Sequence, residues 1–290
     1  MFKILIWGTG TEYSRYINCI KYLELKEQIQ VVAVVSNDLY ISGTIDGYRY
    51  INKGDINVQD FDYCLIAVQN IHVVMQEAVN YGIQPNDCIP IRVVAIPGFD
   101  FCEYINLKKS AISIFSVNCF AGICYNYLGL PFLSPTINMF ESTADFTKMM
   151  KNLDYYMSAP VEYIRYDYEE RVGHSFPIAR IDDVILQFLH YDNFDGAAKC
   201  WEKRKQRINK GNIFVVSHTD EKKELFDFEE IPYEHKVIFT SCTETSPSSI
   251  YIDKAQWDEL WEPVIAIARG DINLLNIISL LNYKDNYLRV

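Results

Sequence analysis

The sequence predicts an α/β protein of two Rossmann-like parallel-sheet layers: a nucleotide-binding-type domain over residues 1–105 and a larger α/β domain over 106–290. Three observations carry this. Apolar, β-branched runs alternate with stretches of helical spacing along the whole chain. The first run ends in a glycine turn, Gly8-Thr9-Gly10. At 290 residues the chain is also long for one core, since cores stop growing at roughly 250 to 300 residues.

In the first half, the run from Phe2 to Trp7 reads as a strand. After the glycine turn, Tyr13, Tyr16, Ile17, Ile20 and Leu23 stand at helical spacing. Val31 to Val35 and Tyr63 to Val68 read as buried strands, Ile71 to Tyr81 as a helix stopped by Gly82, and Ile89 to Val94 as another strand. Short links between such elements favour a parallel sheet with right-handed crossovers.

Glycines at 8 and 10 would let the backbone turn sharply and approach a phosphate, with the free N–H groups of a helix start behind them. The dinucleotide pattern is incomplete, however. Tyr13 stands where a third glycine belongs, and the nearest acid after the second strand belongs to Asn37-Asp38. A tight strand-to-helix turn that binds nothing explains Gly8, Thr9 and Gly10 equally well. Lys3 to Gly10, Val31 to Asp38 followed by Ile45-Asp46-Gly47-Tyr48, and Phe61 to Ala67 together resemble the small N-terminal Rossmann-like domains of bacterial sugar O- and N-acyltransferases and sugar-modifying oxidoreductases.

A net charge of −11 leaves no broad basic surface, so nucleic acid is not an expected partner. The local excess of cations from Lys199 to Lys210 is large enough for one anionic group only. Eight cysteines without a CxxC pair suit free thiols in a reducing cytoplasm, and the short apolar start does not read as an export signal. Ser110 to Phe140 carries no charge, but Asn118, Asn126, Pro131 and Pro135 interrupt it. We expect a buried strand, helix and loop there rather than a membrane span.

In the second half, strands are expected at Ala111–Val117, Val161–Tyr166, Val184–Leu189, Ile213–Val216 and Val237–Phe239, and helices at Thr143–Met157, Phe194–Ile208 and Asp271–Tyr283. Ligands bind beyond the carboxyl ends of parallel strands. Four proposed strand ends carry groups able to do chemistry: Asn118 with Cys119, His190 with Tyr191, His218 with Thr219, and Thr240 with Ser241. Each has a bland alternative. A histidine after a strand is more often a bonded boundary residue than a base, and Cys119 more often a small hydrophobe than a nucleophile.

Asp182-Asp183 could hold a divalent ion bridging a diphosphate, or simply mark a solvated strand entry. Thr219-Asp220 reads as a helix cap. Arg204 and Arg207 could fork onto a phosphate, or belong to a solvated helix face with Trp201 tucked beneath. No HxxxH, HxH or CxxC spacing supports a metal site from His190, His218 and the paired acids.

A more specific likeness lies downstream. The strings Ser116-Val117-Asn118-Cys119 with Gly122, Leu128 to Asn138, Asp182-Asp183-Val184 to His190-Tyr191, and Trp201 to Arg204 with Arg207-Ile208-Asn209 resemble a bacterial domain-of-unknown-function family whose members are often labelled exopolysaccharide-biosynthesis proteins. The resemblance implies a role in cell-surface glycan assembly. It marks Asn118, Ser134, Thr136, Asn138, Asp183, His190, Trp201 and Arg204.

The expectation that follows is a transferase using a nucleotide-activated sugar or polyol donor, with magnesium or manganese if a diphosphate is bound. His190 or Asp183 would be its base and Arg204 with Arg207 its phosphate clamp. A non-catalytic nucleotide or sugar-nucleotide sensor and, on Gly8-Thr9-Gly10 alone, an NAD(P)-dependent oxidoreductase are the competing readings. A homo-oligomer is compatible with all three.

Overall fold

The computed structural model describes residues 1–36, 43–170, 172–272 and 274–284. Asn37 and Asp38 lie outside them. The chain divides into two compact units, residues 1–106 with 127–129 and residues 107–126 with 130–290.

The first unit opens with β1 (Phe2–Trp7), whose last four residues are buried, and α1 (Thr11–Leu25), which buries Tyr13, Ile17, Ile20 and Leu23. Then come β2 (Ile29–Val35), β3 (Thr44–Ile45), β4 (Tyr48–Ile51), β5 (Tyr63–Ile66), α2 (Ile71–Val79) and β6 (Cys88–Pro90). The sheet runs β3-β4-β2-β1-β5-β6 and is parallel except for the β3–β4 pair. One face packs Leu5, Trp7, Ala33, Val35, Cys64 and Ile66 beneath α2.

β6 is shorter than the run from Ile89 to Val94 suggests. Pro90 has no N–H to continue the ladder, and residues 91–95 form a 3-10 turn. The helix α3 (Phe101–Lys109) buries Phe101, Tyr104, Ile105 and Leu107.

The second unit holds two sheets rather than one parallel layer, which corrects part of the expectation. β7 (Ser113–Ser116), β11 (Ile213–Thr219), β12 (Lys236–Thr240) and β13 (Ser249–Tyr251) form a parallel sheet in the order β13-β12-β11-β7. β8 (Val161–Glu169), β9 (His174–Ile181) and β10 (Val184–Gln187) form a separate antiparallel sheet. Its strands are joined by tight turns. Asp182-Asp183 is the two-residue turn between β9 and β10, with Asp182 at φ 53°, and a link that short can only reverse the chain. β10 therefore does not end at the edge of a parallel sheet.

The helices are α4 (Phe120–Leu128), α5 (Thr143–Lys151), α6 (Leu153–Ser158), α7 (Phe194–Lys205), α8 (Lys222–Glu229), α9 (Trp261–Arg269) and α10 (Ile277–Leu281). The helix expected over residues 143–157 breaks at Asn152, where φ is −139°. The one expected over 271–283 is confined to α10. A core of Phe115, Val117, Phe146, Trp201, Val215, Phe228 and their neighbours lies on the α5 and α8 face of the parallel sheet. Among the described residues no helix is long and apolar enough to cross a membrane.

Candidate functional site

The carboxyl edge of the second unit's parallel sheet is where the fold leaves chemistry unsatisfied. β7 delivers Val117-Asn118-Cys119 to the start of α4, and β11 ends in Ser217-His218-Thr219. Residues 140–143 are laced between them. The Glu141 N–H donates to the Val117 carbonyl at 3.0 Å, Val117 N–H to Val216 carbonyl at 3.2 Å, and Thr143 Oγ1 to the His218 carbonyl at 2.9 Å. The local reason is capping. Ser142 accepts the Asp145 N–H and starts α5, which fixes Glu141 one residue earlier against the strand end.

Glu141 is fully buried, and among the described residues neither carboxyl oxygen has a hydrogen-bond partner. Burial first, and the charge of Asp145 second, push its carboxyl well above the usual carboxylate range, which favours the protonated form. Asn118 spends Oδ1 on the Phe120 N–H at 2.9 Å, while its Nδ2 is unpartnered. Ser217 Oγ, His218 Nδ1 and, on α5, Thr147 Oγ1 are unpartnered as well.

Burial draws the His218 imidazole down to about 4, despite the opposing charge of Asp220, so the ring is neutral. Burial and then Glu141 lift the Cys119 thiol to about 11, partly offset by Arg269. Cys119 is therefore held as a thiol, not a nucleophilic thiolate. Each buried polar group left unpaired costs about 1–3 kcal/mol, so five on neighbouring segments are a concentrated departure from the usual rule of satisfaction. On these segments lie a carboxyl whose protonated form is favoured, a neutral imidazole, an amide donor and hydroxyls, groups suited to a polar, hydroxyl-bearing ligand.

Asn118 and His218 are the sequence candidates found there. Thr219 sits beside them but is occupied. It donates to Glu224 at 2.6 Å and accepts from the Glu221 N–H at the start of α8, while Asp220 pairs with Lys254. Ser134 and Thr136 are buried packing residues. Thr136 Oγ1 accepts the Ser116 N–H at 3.2 Å and lies 3.4 Å from Ser134 Oγ. Asn138 is exposed at φ 64°, and its carbonyl accepts the His190 N–H.

His190 itself is exposed in the turn after β10, on the antiparallel sheet. Tyr191 OH and the Ile137 carbonyl both accept from Arg204 Nη1, and the guanidinium lies over Phe132. Arg204 thus has a structural task, and Arg207 is exposed beyond the end of α7. Trp201 is buried edge-on against Phe188. Asp183 is held by Tyr156 at 2.8 Å and Lys148 at 3.2 Å.

In the first unit, Gly8 has φ 114°, and a Cβ there would meet the Ala67 carbonyl oxygen at 2.7 Å. Its glycine is demanded by the neighbouring strand. Thr9 is half-buried, and Gly10 faces open space at a helix start that has no side-chain cap.

Comparison with known proteins adds a name for each stretch. Residues 91–282, more than half of the chain, match the family described as a domain of unknown function, DUF1919. The chain belongs to that family. Residues 1–89 match a C2185-like N-terminal domain. An uncharacterized protein of Haemophilus influenzae is 28% identical over 138 residues, 46% of this chain and 64% of that protein. The chain thus spans under two thirds of that relative's length.

Within the DUF1919 region, Glu141, Thr147 and Ser217 escaped the reading of the sequence. One signal was present: Glu141 is the first charge after thirty-one uncharged residues, and Ser142-x-x-Asp145 behind it has the form of a helix cap.

Proposed function

We propose that the second unit is a transferase that takes a nucleotide-activated sugar or polyol donor at the carboxyl edge of its parallel sheet, in cell-surface polysaccharide assembly. The observation that carries this reading is Glu141, a fully buried acid with both oxygens unpartnered, tied by its own backbone to the end of β7. The acceptor hydroxyl gives its proton to His218 Nδ1, and its oxygen bonds to the transferred carbon. The bond from that carbon to the donor phosphate breaks, and Glu141 protonates the departing oxygen. Asn118 Nδ2 and Ser217 Oγ orient the donor. The glycan context comes from the strings at Ser116–Cys119, Leu128–Asn138 and Asp182–Tyr191.

A thermal-shift panel of nucleotide sugars, free nucleotides, NAD and NADP, with and without magnesium or manganese, tests it. A donor at a hundred times its dissociation constant adds about 2.7 kcal/mol of stability. For a chain of this size that is a rise of roughly 2–4 °C per kcal/mol. Glu141→Gln should keep the shift and lose turnover of the stabilising donor. A panel in which no nucleotide sugar stabilises the protein, or a Glu141→Gln variant with full turnover, sinks the reading.

A non-catalytic sensor is favoured by one feature: the unpartnered atoms of Asn118, Glu141, Ser217 and His218 are closed off from solvent, so a ligand must shift side chains to reach them. Donor turnover by the purified protein separates the two readings. The oxidoreductase reading rests on Gly8-Thr9-Gly10 alone, where packing against Ala67 accounts for Gly8 without a ligand.

A further inference from the structure

Two crossovers of the first unit differ in how they cover the sheet. The one from β5 to β6 carries α2, whereas residues 52–62, from β4 to β5, hold no helix beyond a 3-10 turn at 53–55. The strand order β4-β2-β1-β5 makes this loop pass over β2 and β1. Ile56 and Phe61 anchor it in the core that α2 shares, and the Asp62 N–H donates to the Lys3 carbonyl at 2.8 Å. A helix would fill the sheet face here. The loop leaves a cavity of about 300 Å³, at the small end of the roughly 300–1,000 Å³ usual for ligand sites.

The floor of the cavity is apolar: Leu5 on β1, Ala33 on β2 and Ile51 on β4, with Phe61 from the loop. Its rim is charged, and the signs are segregated. Lys3 and Arg49 come from the strands, Asp55 and Asp60 from the loop. All four are exposed, and among the described residues no ion pair joins the two walls. Asp55 accepts from Asn52 at 3.3 Å and Asp60 from Asn57 at 3.1 Å, bonds that tie each carboxylate to its own loop. Opposite charges that line one concavity without pairing leave room for a molecule bearing both signs.

We propose that this cavity binds a small molecule carrying both an amine and an oxyanion, the latter a carboxylate or a phosphate monoester. The oxyanion lies against Lys3 and Arg49, whose guanidinium forks onto two oxygens. The amine lies against Asp55 and Asp60, and the carbon skeleton covers the apolar floor. The four lining charges sum to zero, so a bare anion gains two cations but faces two carboxylates, and a bare amine meets the reverse. Only a ligand of both signs is matched throughout. The site lies in the first unit and excludes the Gly8-Thr9-Gly10 turn, so it is independent of the donor chemistry proposed for the second unit. Because the rim is solvated, each contact contributes modestly, and dissociation constants between about 10 µM and about 1 mM are expected.

Titration calorimetry of the full chain reads it. Two probes carry both groups: glucosamine 6-phosphate, with glucose 6-phosphate and glucosamine as its single-sign counterparts, and γ-aminobutyrate, with butyrate as its counterpart. At least one of the two should bind saturably and about tenfold or more tighter than its counterparts, and which one does so tells phosphate from carboxylate. Arg49→Gln and Lys3→Gln should each weaken that binding about tenfold or more. Asp55→Asn combined with Asp60→Asn should erase the preference over the amine-free counterpart, and Lys21→Gln on α1 should change nothing. No saturable binding of either probe up to about 10 mM, equal binding of the amine-free counterpart, or unchanged affinity in Arg49→Gln overturns the proposal. All the substituted side chains are exposed, and circular dichroism confirms that the variants fold.

Discussion

The two parallel sheets present the same architectural position, the carboxyl ends of their strands, in opposite conditions. In the first unit the edge is closed on itself. Gly8 N–H donates to Val35, Ala67 N–H donates to Trp7, and Gly8 is pressed against the Ala67 carbonyl. In the second unit a chain segment, residues 140–143, is threaded onto the strand ends, and a buried carboxyl, an amide, a hydroxyl and an imidazole nitrogen are left without partners. Strand-end position alone does not make a site. What separates the two edges is the amount of polar capacity that the fold itself does not use: beyond β1 only Glu12 Oε1 and Tyr13 OH are buried without a hydrogen bond among the described residues.

The largest expected effect tests the closed edge. Gly8→Ala places a Cβ 2.7 Å from a backbone oxygen at a φ of 114°, so backbone strain of about 1–3 kcal/mol adds to overpacking of about 1–3 kcal/mol. A loss of about 3 kcal/mol is expected, read by hydrogen exchange at the β1 amides. Gly10→Ala has φ −83° and open space, and should change stability by less than about 0.5 kcal/mol. Equal losses at both positions would show that packing does not distinguish the two glycines.

A smaller effect sharpens the open edge through pH. Glu141 has a raised carboxyl in the folded chain, so between its unfolded value near 4.5 and its folded one the native state binds the extra proton. Its contribution is greatest at low pH and is lost as pH rises, by up to about 1.4 kcal/mol per pH unit. His218 works the other way. With its imidazole drawn from 6.5 to about 4, the unfolded state binds the extra proton in that window, and stability falls on acidification from 6.5 towards 4. Urea unfolding between pH 5 and 7 should therefore show wild type gaining on Glu141→Gln as pH drops, and losing against His218→Gln. Parallel pH curves for wild type and both variants would remove the buried, neutral state of these groups from the account.

Legibility in the sequence followed the same divide. β1, β2, β5, β11 and β12 were visible because buried parallel strands are unbroken apolar runs, and α1 and α7 because their apolar residues recur at helical spacing. β4, with Tyr-Arg-Tyr-Ile, and β9, with Pro177 and Arg180 inside it, carry no such run. The antiparallel sheet was hidden because Asp182-Asp183 resembles a ligand pair more than a turn. Asn118 and His218 could be found at strand ends. Glu141 could not, because charge ordinarily signals solvent, and only the bridge of Phe140 to Gln187 and the bond of the Glu141 N–H to Val117 fix this one inside.

Asp183 gives the smallest effect and the finest control. Its carboxylate is exposed and held low first by the Tyr156 hydroxyl, then by Lys148, an ion pair whose side chains are 47% and 61% exposed. Exposed pairs contribute little, so Asp183→Asn should leave the urea midpoint essentially unchanged. The same variant should keep donor binding and turnover unchanged, whereas Glu141→Gln abolishes turnover. A loss of turnover in Asp183→Asn with stability intact would move the chemistry from the parallel sheet to the β9–β10 turn. The contrast between the two edges would then no longer locate the site.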